Sequence, residues 1–177
     1  QDLIRKKVGI VGTGKIGAVI ARIMHGFGCS LAAVDPEENA YLKSAYDLSY
    51  TTFDTLCSNS DIIFLSLPLL GETHHLINSH SLKKMAKTTI IVNVARGGIV
   101  QTTSLLESLD QNLLGGYATD VYENEKGVFS YNLSDAPPED AILQSLLKHP
   151  KVVLTPHQAY ATQEALTNIA TATIDNL

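Results

Sequence analysis

The sequence predicts an α/β fold, a doubly wound parallel sheet in three α/β/α layers. Three observations predict it. Short runs rich in Val, Ile and Leu alternate along the chain with segments of helical period. Those runs are apolar on both faces, as strands covered by helices on each side must be. The first run, Val8 to Val11, leads directly into Gly12-x-Gly14-x-x-Gly17, and the second, Leu31 to Val34, ends at Asp35.

Taken in order, strands are expected near 7–12, 30–35, 61–66, 89–94, 114–120 and 151–155. Helices are expected near 15–27, 53–59, 79–86, 102–110, 139–148 and 162–176. The first helix follows from Ile16, Val19, Ile20, Ile23, Met24 and Phe27, which recur every three or four residues. Asp61 and Thr89 punctuate the starts of the third and fourth strands, and Pro68 stops the third from extending. Gly97-Gly98 and Gly115-Gly116 mark turns or close backbone approach. Residues 122–139 are polar, contain Pro137-Pro138 and show no period, so they read as a long loop. The last helix carries Leu166, Ile169, Ala170, Thr173, Ile174 and Leu177 along one stripe. That pattern is still running at the final residue, and the first residue is Gln1, so a piece of a longer protein is expected.

With 177 residues, 45% of them hydrophobic and only 18% charged, the chain can bury one sizeable core. A net charge of −5 argues against a nucleic-acid partner. No apolar run approaches membrane-spanning length, so no membrane role is expected. Cys29 and Cys57 are too few for a disulfide framework and sit in apolar surroundings, which suits reduced core thiols of a cytoplasmic protein. Asn132-Leu-Ser134 matches a glycosylation acceptor by chance.

A glycine string alone is weak, but its setting between strand and helix gives each part a task. Gly12 lets the chain turn out of the strand. Gly14 lets backbone N–H groups approach a pyrophosphate, and Gly17 lets the helix pack on the sheet. The helix N-terminus carries partial positive charge toward the phosphates. Asp35 would accept hydrogen bonds from the adenosine ribose and repel a 2′-phosphate, which selects NAD over NADP. The competing reading is a βαβ unit whose glycines serve packing alone.

Sheets of this Rossmann type bind ligands beyond the carboxyl ends of their strands. Arg96, Glu125 and His157 each follow a strand end there. Singly, each has an ordinary explanation: a carbonyl-capping arginine, one acid in a solvated loop, a turn histidine after Pro156. Together they supply a cation that clamps a carboxylate, an imidazole that moves a proton, and a carboxylate that orients the imidazole. That set suits reduction of a 2-keto acid. The other histidines, among them His74, His75 and His80, show no ligand spacing with Cys or Asp support, so no metal site is expected.

At these residues the chain resembles the NAD-dependent D-2-hydroxyacid dehydrogenase family, and within it the D-lactate branch. The resemblance rests on Gly12-Thr-Gly-Lys-Ile-Gly17, Val34-Asp-Pro36, Leu67-Pro68, Asn93-Val-Ala-Arg-Gly-Gly98, Asp120-Val-Tyr-Glu-Asn-Glu125 and Thr155-Pro-His-Gln-Ala159. Tyr160 departs mildly, standing where the family usually has Phe. The resemblance implies that Arg96 binds the substrate carboxylate, that His157 exchanges a proton with the carbonyl oxygen, and that Glu125 holds the other ring nitrogen of His157. It implies that Lys15 and Ile16 offer backbone donors to the pyrophosphate and that Pro68 borders the adenine. Thr73 would lie near the cofactor, Asp120 would meet the nicotinamide amide, and Val94 and Ala95 would line the nicotinamide pocket. It further implies a small 2-keto or 2-hydroxy acid substrate, pyruvate and D-lactate first, and a homodimer through this domain. Residues 1–177 would then be the NAD-binding domain, with a discontinuous substrate domain lying outside them. Two alternatives stay open: a sister dehydrogenase such as a glyoxylate/hydroxypyruvate reductase, and a non-catalytic NAD-sensing module like the corepressors that resemble this family.

Overall fold

The structure, a computed structural model, describes residues 2–129 and 139–176. Among them one sheet holds β1 (Lys7–Val11), β2 (Ser30–Val34), β3 (Ser49–Tyr50), β4 (Ile62–Leu65), β5 (Ile90–Asn93), β6 (Gly116–Thr119) and β7 (Val152–Leu154). The strand order is β3-β2-β1-β4-β5-β6-β7, and every neighbouring pair is parallel. The connecting helices are α1 (Lys15–Gly26), α2 (Ala40–Tyr46), α3 (Phe53–Asn59), α4 (Ser79–Leu82), α5 (Thr102–Asp110), α6 (Ala141–Lys148) and α7 (Gln163–Asp175), with a 3-10 turn at Gly97–Ile99. The chain winds outward from β1 to β3, then crosses back to β4. The reversal between β1 and β4 opens a crevice at the strand ends, where such sheets take ligands.

Successive side chains of a strand point to opposite faces, and the two cores follow from that. Val8 and Ile10 of β1, Leu31 and Ala33 of β2 and the helix residues Ala21, Met24 and Leu42 fill one side. Val11, Ile63 and Leu65 of β4, Ile91 of β5 and Leu105, Leu109 and Leu143 from the helices fill the other. This is the three-layer architecture expected from the doubly apolar strands. Cys29 and Cys57 are buried and free, as expected. Burial pushes the Cys57 thiol up to about 12, which suppresses the reactive thiolate. No helix among the described residues is long and apolar enough to cross a membrane.

Helix α1 stands where expected, but of the stripe that announces it only Met24 is buried and Ile20 half-buried against the core. Gly17, Ala21 and Met24 face the sheet, while Ile16, Val19, Ile23 and Phe27 are 45–58% exposed. The small residues win because the helix must approach the sheet closely: a Cβ on Gly17 would lie 2.0 Å from the carbonyl oxygen of Gly12. Helix α7 likewise buries none of its residues, and Leu166, Ile169 and Ile174 lie in solvent. Leu177 and Asn132-Leu-Ser134 lie outside the described residues, as does half of the predicted 122–139 loop, residues 130–138.

Two elements escape the sequence pattern. Helix α2 has seven residues and one fully buried side chain, Leu42; its start is fixed by Asn39, whose side chain accepts from the N–H groups of Tyr41 and Leu42. Strand β3 has two residues, too few for any alternation to register. Helix α4 stops at Leu82, shorter than the expected 79–86.

Candidate active site

The glycine turn is built by close approach. Gly12 adopts φ +91°, and a Cβ there would meet the Ser66 carbonyl oxygen at 2.6 Å. Ser66 also donates its hydroxyl to the Gly12 carbonyl, 2.7 Å away, which fastens the turn to the end of β4. A Cβ at Gly14, by contrast, would meet nothing within 4 Å. Gly14 is the N-cap of α1, and no side chain caps that end. The first turn of α1, starting at Lys15 and Ile16, therefore presents uncapped N–H groups to open space, a cradle that suits a pyrophosphate.

Asp35 follows β2. Its Oδ1 accepts from the Glu37 N–H at 2.9 Å, and its Oδ2 from the Thr13 N–H and hydroxyl at 2.6 and 3.1 Å. Burial pushes this carboxyl up, but the Thr13 and Glu37 hydrogen bonds outweigh it and hold it below the usual carboxylate range. The carboxylate stays charged at neutral pH. Asp35 lines a hollow of about 480 Å³ with Gly12, Gly14, Pro68 and Thr73. Thr73 shapes that wall by donating to the Pro68 carbonyl and accepting from the Leu70 N–H, each at 2.7 Å. Beyond Leu67 and Pro68 the groove continues into a second hollow walled by Ile16, Val94, Ala95 and Arg96. Val94 in turn joins a third, walled by Asp120, Thr155, Gln158 and Ala159. Of the expected cofactor residues, all but Lys15 and Gly17 thus line these three adjoining hollows.

At the far end of that groove, His157 Nδ1 lies 2.9 Å from Glu125 Oε1. Glu125 Oε2 accepts from the Tyr122 N–H at 3.0 Å, which fixes the carboxylate from behind. An ionised carboxylate only accepts, so Nδ1 carries the proton and Nε2 faces away from the pair. Among the described residues Nε2 has no hydrogen-bond partner. His157 sits at φ +54°, an uncommon conformation for a residue with a side chain. Its N–H holds that turn by donating to the Asp120 carbonyl at 2.7 Å.

Asp120 latches the same loop. Its Oδ1 accepts from the Thr155 hydroxyl and the Gln158 N–H, and its Oδ2 from the Ala159 N–H. Both oxygens are therefore already engaged before any nicotinamide amide arrives, a task the sequence does not suggest. Arg96 is exposed and donates once to its neighbour's carbonyl, Ala95, at 2.7 Å, leaving its other donors open. Buried Asn93 shapes its loop, donating to the Arg96 carbonyl and accepting from the Ala95 N–H. Gly97 presses that loop against the backbone of Tyr122 and Glu123, the segment that leads to Glu125. Arg96 thereby belongs to the same rim as the Glu125–His157 pair.

Thr13, Tyr50, Ser66, Asn93 and Glu123 are site-shaping residues that sequence reading misses. Thr13, Tyr50, Ser66 and Glu123 have partners far away along the chain, so no local spacing marks them. Asn93 bonds within its own loop, a turn contact that no apolar period signals. Glu123 pairs with His75 Nε2 at 2.5 Å and accepts from the Thr102 N–H at 3.0 Å. His74, His75 and Glu123 bring ligand atoms within 4.8 Å of one another, a grouping that the histidine spacing does not reveal. The two imidazoles are stacked, with centroids 3.8 Å apart and planes 30° apart. Metal-binding lone pairs lie in the ring planes, so stacked rings do not converge on one ion about 2.0–2.1 Å from each nitrogen.

The geometry agrees with what the chain is similar to. Residues 1–159 match the model of the D-isomer specific 2-hydroxyacid dehydrogenase, NAD binding domain. The chain belongs to this family. NAD is therefore its cofactor, and the groove along the glycine turn fits it. A 2-hydroxyacid dehydrogenase homolog of Zymomonas mobilis is 44% identical over 99% of this chain and 54% of its own length. A D-lactate dehydrogenase of Escherichia coli is 38% identical over 97% of this chain and 52% of its own. Among solved structures, a pyruvate reductase of Chlamydomonas reinhardtii superposes with a TM-score of 0.95 at 40% identity, covering 99% of this chain and 54% of that one. A D-lactate dehydrogenase of Lactobacillus jensenii solved with NAD+ gives 0.94 at 31% identity, over 99% and 52%. The chain spans about half the length of the relatives it matches.

Proposed function

We propose that the protein containing this domain reduces a small 2-keto acid, pyruvate first, to the D-2-hydroxy acid. The single observation that carries this reading is the His157 Nδ1–Glu125 Oε1 contact of 2.9 Å on the rim that also bears Arg96 and the glycine turn. When bound, NADH supplies a hydride to the carbonyl carbon. Arg96 clamps the substrate carboxylate and draws electron density from the adjacent keto group. His157 gives the proton on Nε2 to the carbonyl oxygen and returns to the neutral Nδ1–H tautomer, which Glu125 goes on holding. In the oxidation direction the same nitrogen takes the proton back.

A second, discontinuous domain outside residues 1–177 completes the cleft and excludes water when it closes. The relatives' greater length supports that arrangement. On this reading residues 1–177 bind NADH but turn over pyruvate poorly. Pairing into a homodimer through this domain is supported by the exposed apolar stripes of α1 and α7.

The test is His157→Gln in the full-length protein. Pyruvate reduction should fall at least about a thousandfold, consistent with loss of general acid catalysis and misorientation of the substrate, while NADH affinity is unchanged. Undiminished turnover rejects the assignment. A panel of pyruvate, hydroxypyruvate and glyoxylate then separates the lactate branch from its sister dehydrogenases by kcat/KM.

A further inference from the structure

Two-residue strand β3 ends in Tyr50, whose phenol lies under the glycine turn. Tyr50 Oη accepts from the Asn39 N–H at 2.8 Å and lies 2.9 Å from Thr13 Oγ1. Thr13 Oγ1 in turn lies 3.1 Å from Asp35 Oδ2. The two ends of this chain fix the direction of every link. A backbone N–H only donates and an ionised carboxylate only accepts, so both hydroxyls must point the same way. The order is Asn39 N–H to Tyr50 Oη–H to Thr13 Oγ1–H to Asp35 Oδ2. Thr13 is buried, and its N–H adds a second bond to the same oxygen. The β2–β3 register, which sets Tyr50 beside Ala33, delivers the phenol to this place.

We propose that Tyr50 is a specificity-determining positioning residue. Through Thr13 it holds the Asp35 carboxylate rigid at the adenosine end of the groove, so that NADH is accepted and the 2′-phosphate of NADPH is refused. A fixed carboxylate is a prepaid acceptor for ribose hydroxyls and an unavoidable negative charge for a phosphate. A carboxylate free to swing loses both properties. Without the phenol hydroxyl, Thr13 loses its only donor from the strand side and the Asn39 N–H loses its acceptor. The proposal rests on Asp35 being the ribose contact. It adds the residues that make that contact selective, and gives a reason for a strand too short to matter to the sheet.

The experiment titrates NADH and NADPH into this chain and its variants, following cofactor fluorescence. Tyr50→Phe should weaken NADH about three- to tenfold, the worth of an ordered hydrogen-bond chain. NADPH should weaken less or tighten, so the preference for NADH falls. Thr13→Val cuts the same chain one link on and keeps the backbone N–H. It should lower the preference by a similar factor, the double variant should add little, and it reads the proposal even if Tyr50→Phe fails to fold. A preference unchanged in the folded variants overturns the proposal, even if their Tm drops, because a merely structural tyrosine would lower stability alone. If the unaltered chain binds NADH no better than NADPH, the ribose reading of Asp35 itself fails and the proposal falls with it.

Discussion

Gly97 shows how much of the site depends on single atoms. A Cβ built there would lie 2.0 Å from the Tyr122 carbonyl carbon, with backbone rather than a pliable side chain in the way. Gly97→Ala must therefore push the Arg96 loop off the segment that carries Glu125. Overpacking of this kind costs about 1–3 kcal/mol of stability. The larger effect should be on chemistry, because a displacement of about 1 Å at a reacting group can cost about 100-fold in rate. In the full-length protein kcat/KM for pyruvate should drop by that order while NADH affinity holds within about twofold. Equal loss of both in a steady-state and binding comparison would place the glycine's role in cofactor binding instead. The Gly97-Gly98 pair is legible in sequence as close approach, but its partner at Tyr122 is not, because the contact joins loops that only the fold makes neighbours.

Between elements, the decisive tie is Asp120, which joins the end of β6 to the loop after β7. Burial pushes its carboxyl up, but the Thr155 hydroxyl, the Gln158 and Ala159 N–H groups and the nearby His157 imidazole outweigh that and hold it below the usual range. A depressed folded-state pKa means the latch is fully stabilising above the unfolded value, about 3.9, and is lost as pH falls through the lower folded value. Asp120→Asn should cost about 1–3 kcal/mol at neutral pH. The Tm difference between the two proteins, followed by calorimetry, should stay level from pH 8 to about 5 and shrink below about 4. A difference that grows in acid would refute the latch. The same scale explains what pattern reading gets wrong about α1. Its apolar residues announce a helix, but helix-to-sheet distance decides which side is buried, and Gly17 and Ala21 permit the nearer approach.

For the molecule as a whole, the parallel sheet gathers every candidate residue on one edge, and the two exposed helical stripes lie on the outside. Ile23 of α1 and Phe27, its C-cap, are among the largest apolar groups in solvent, more than a lone domain usually leaves in one stripe. If the proposed homodimer uses α1, light scattering after size exclusion should give a dimer mass. Ile23→Glu with Phe27→Glu should return it to a monomer while NADH still binds. A dimer indifferent to those charges would move the interface elsewhere.

Sequence alone determined the strand–helix alternation, the glycine turn and the acidic residue after β2, and it marked Arg96, Glu125 and His157 as candidates. Those features are local: they follow from side-chain period, from glycine's missing Cβ and from position just past an apolar run. The Glu125–His157 pairing was implied by resemblance and given its distance by the fold, but only the tertiary structure decided that Asp120 latches the loop beside them and that Tyr50 reaches Asp35 through Thr13. Such contacts join residues tens of positions apart, and their distances are set by strand order and register, which no window of neighbouring residues contains.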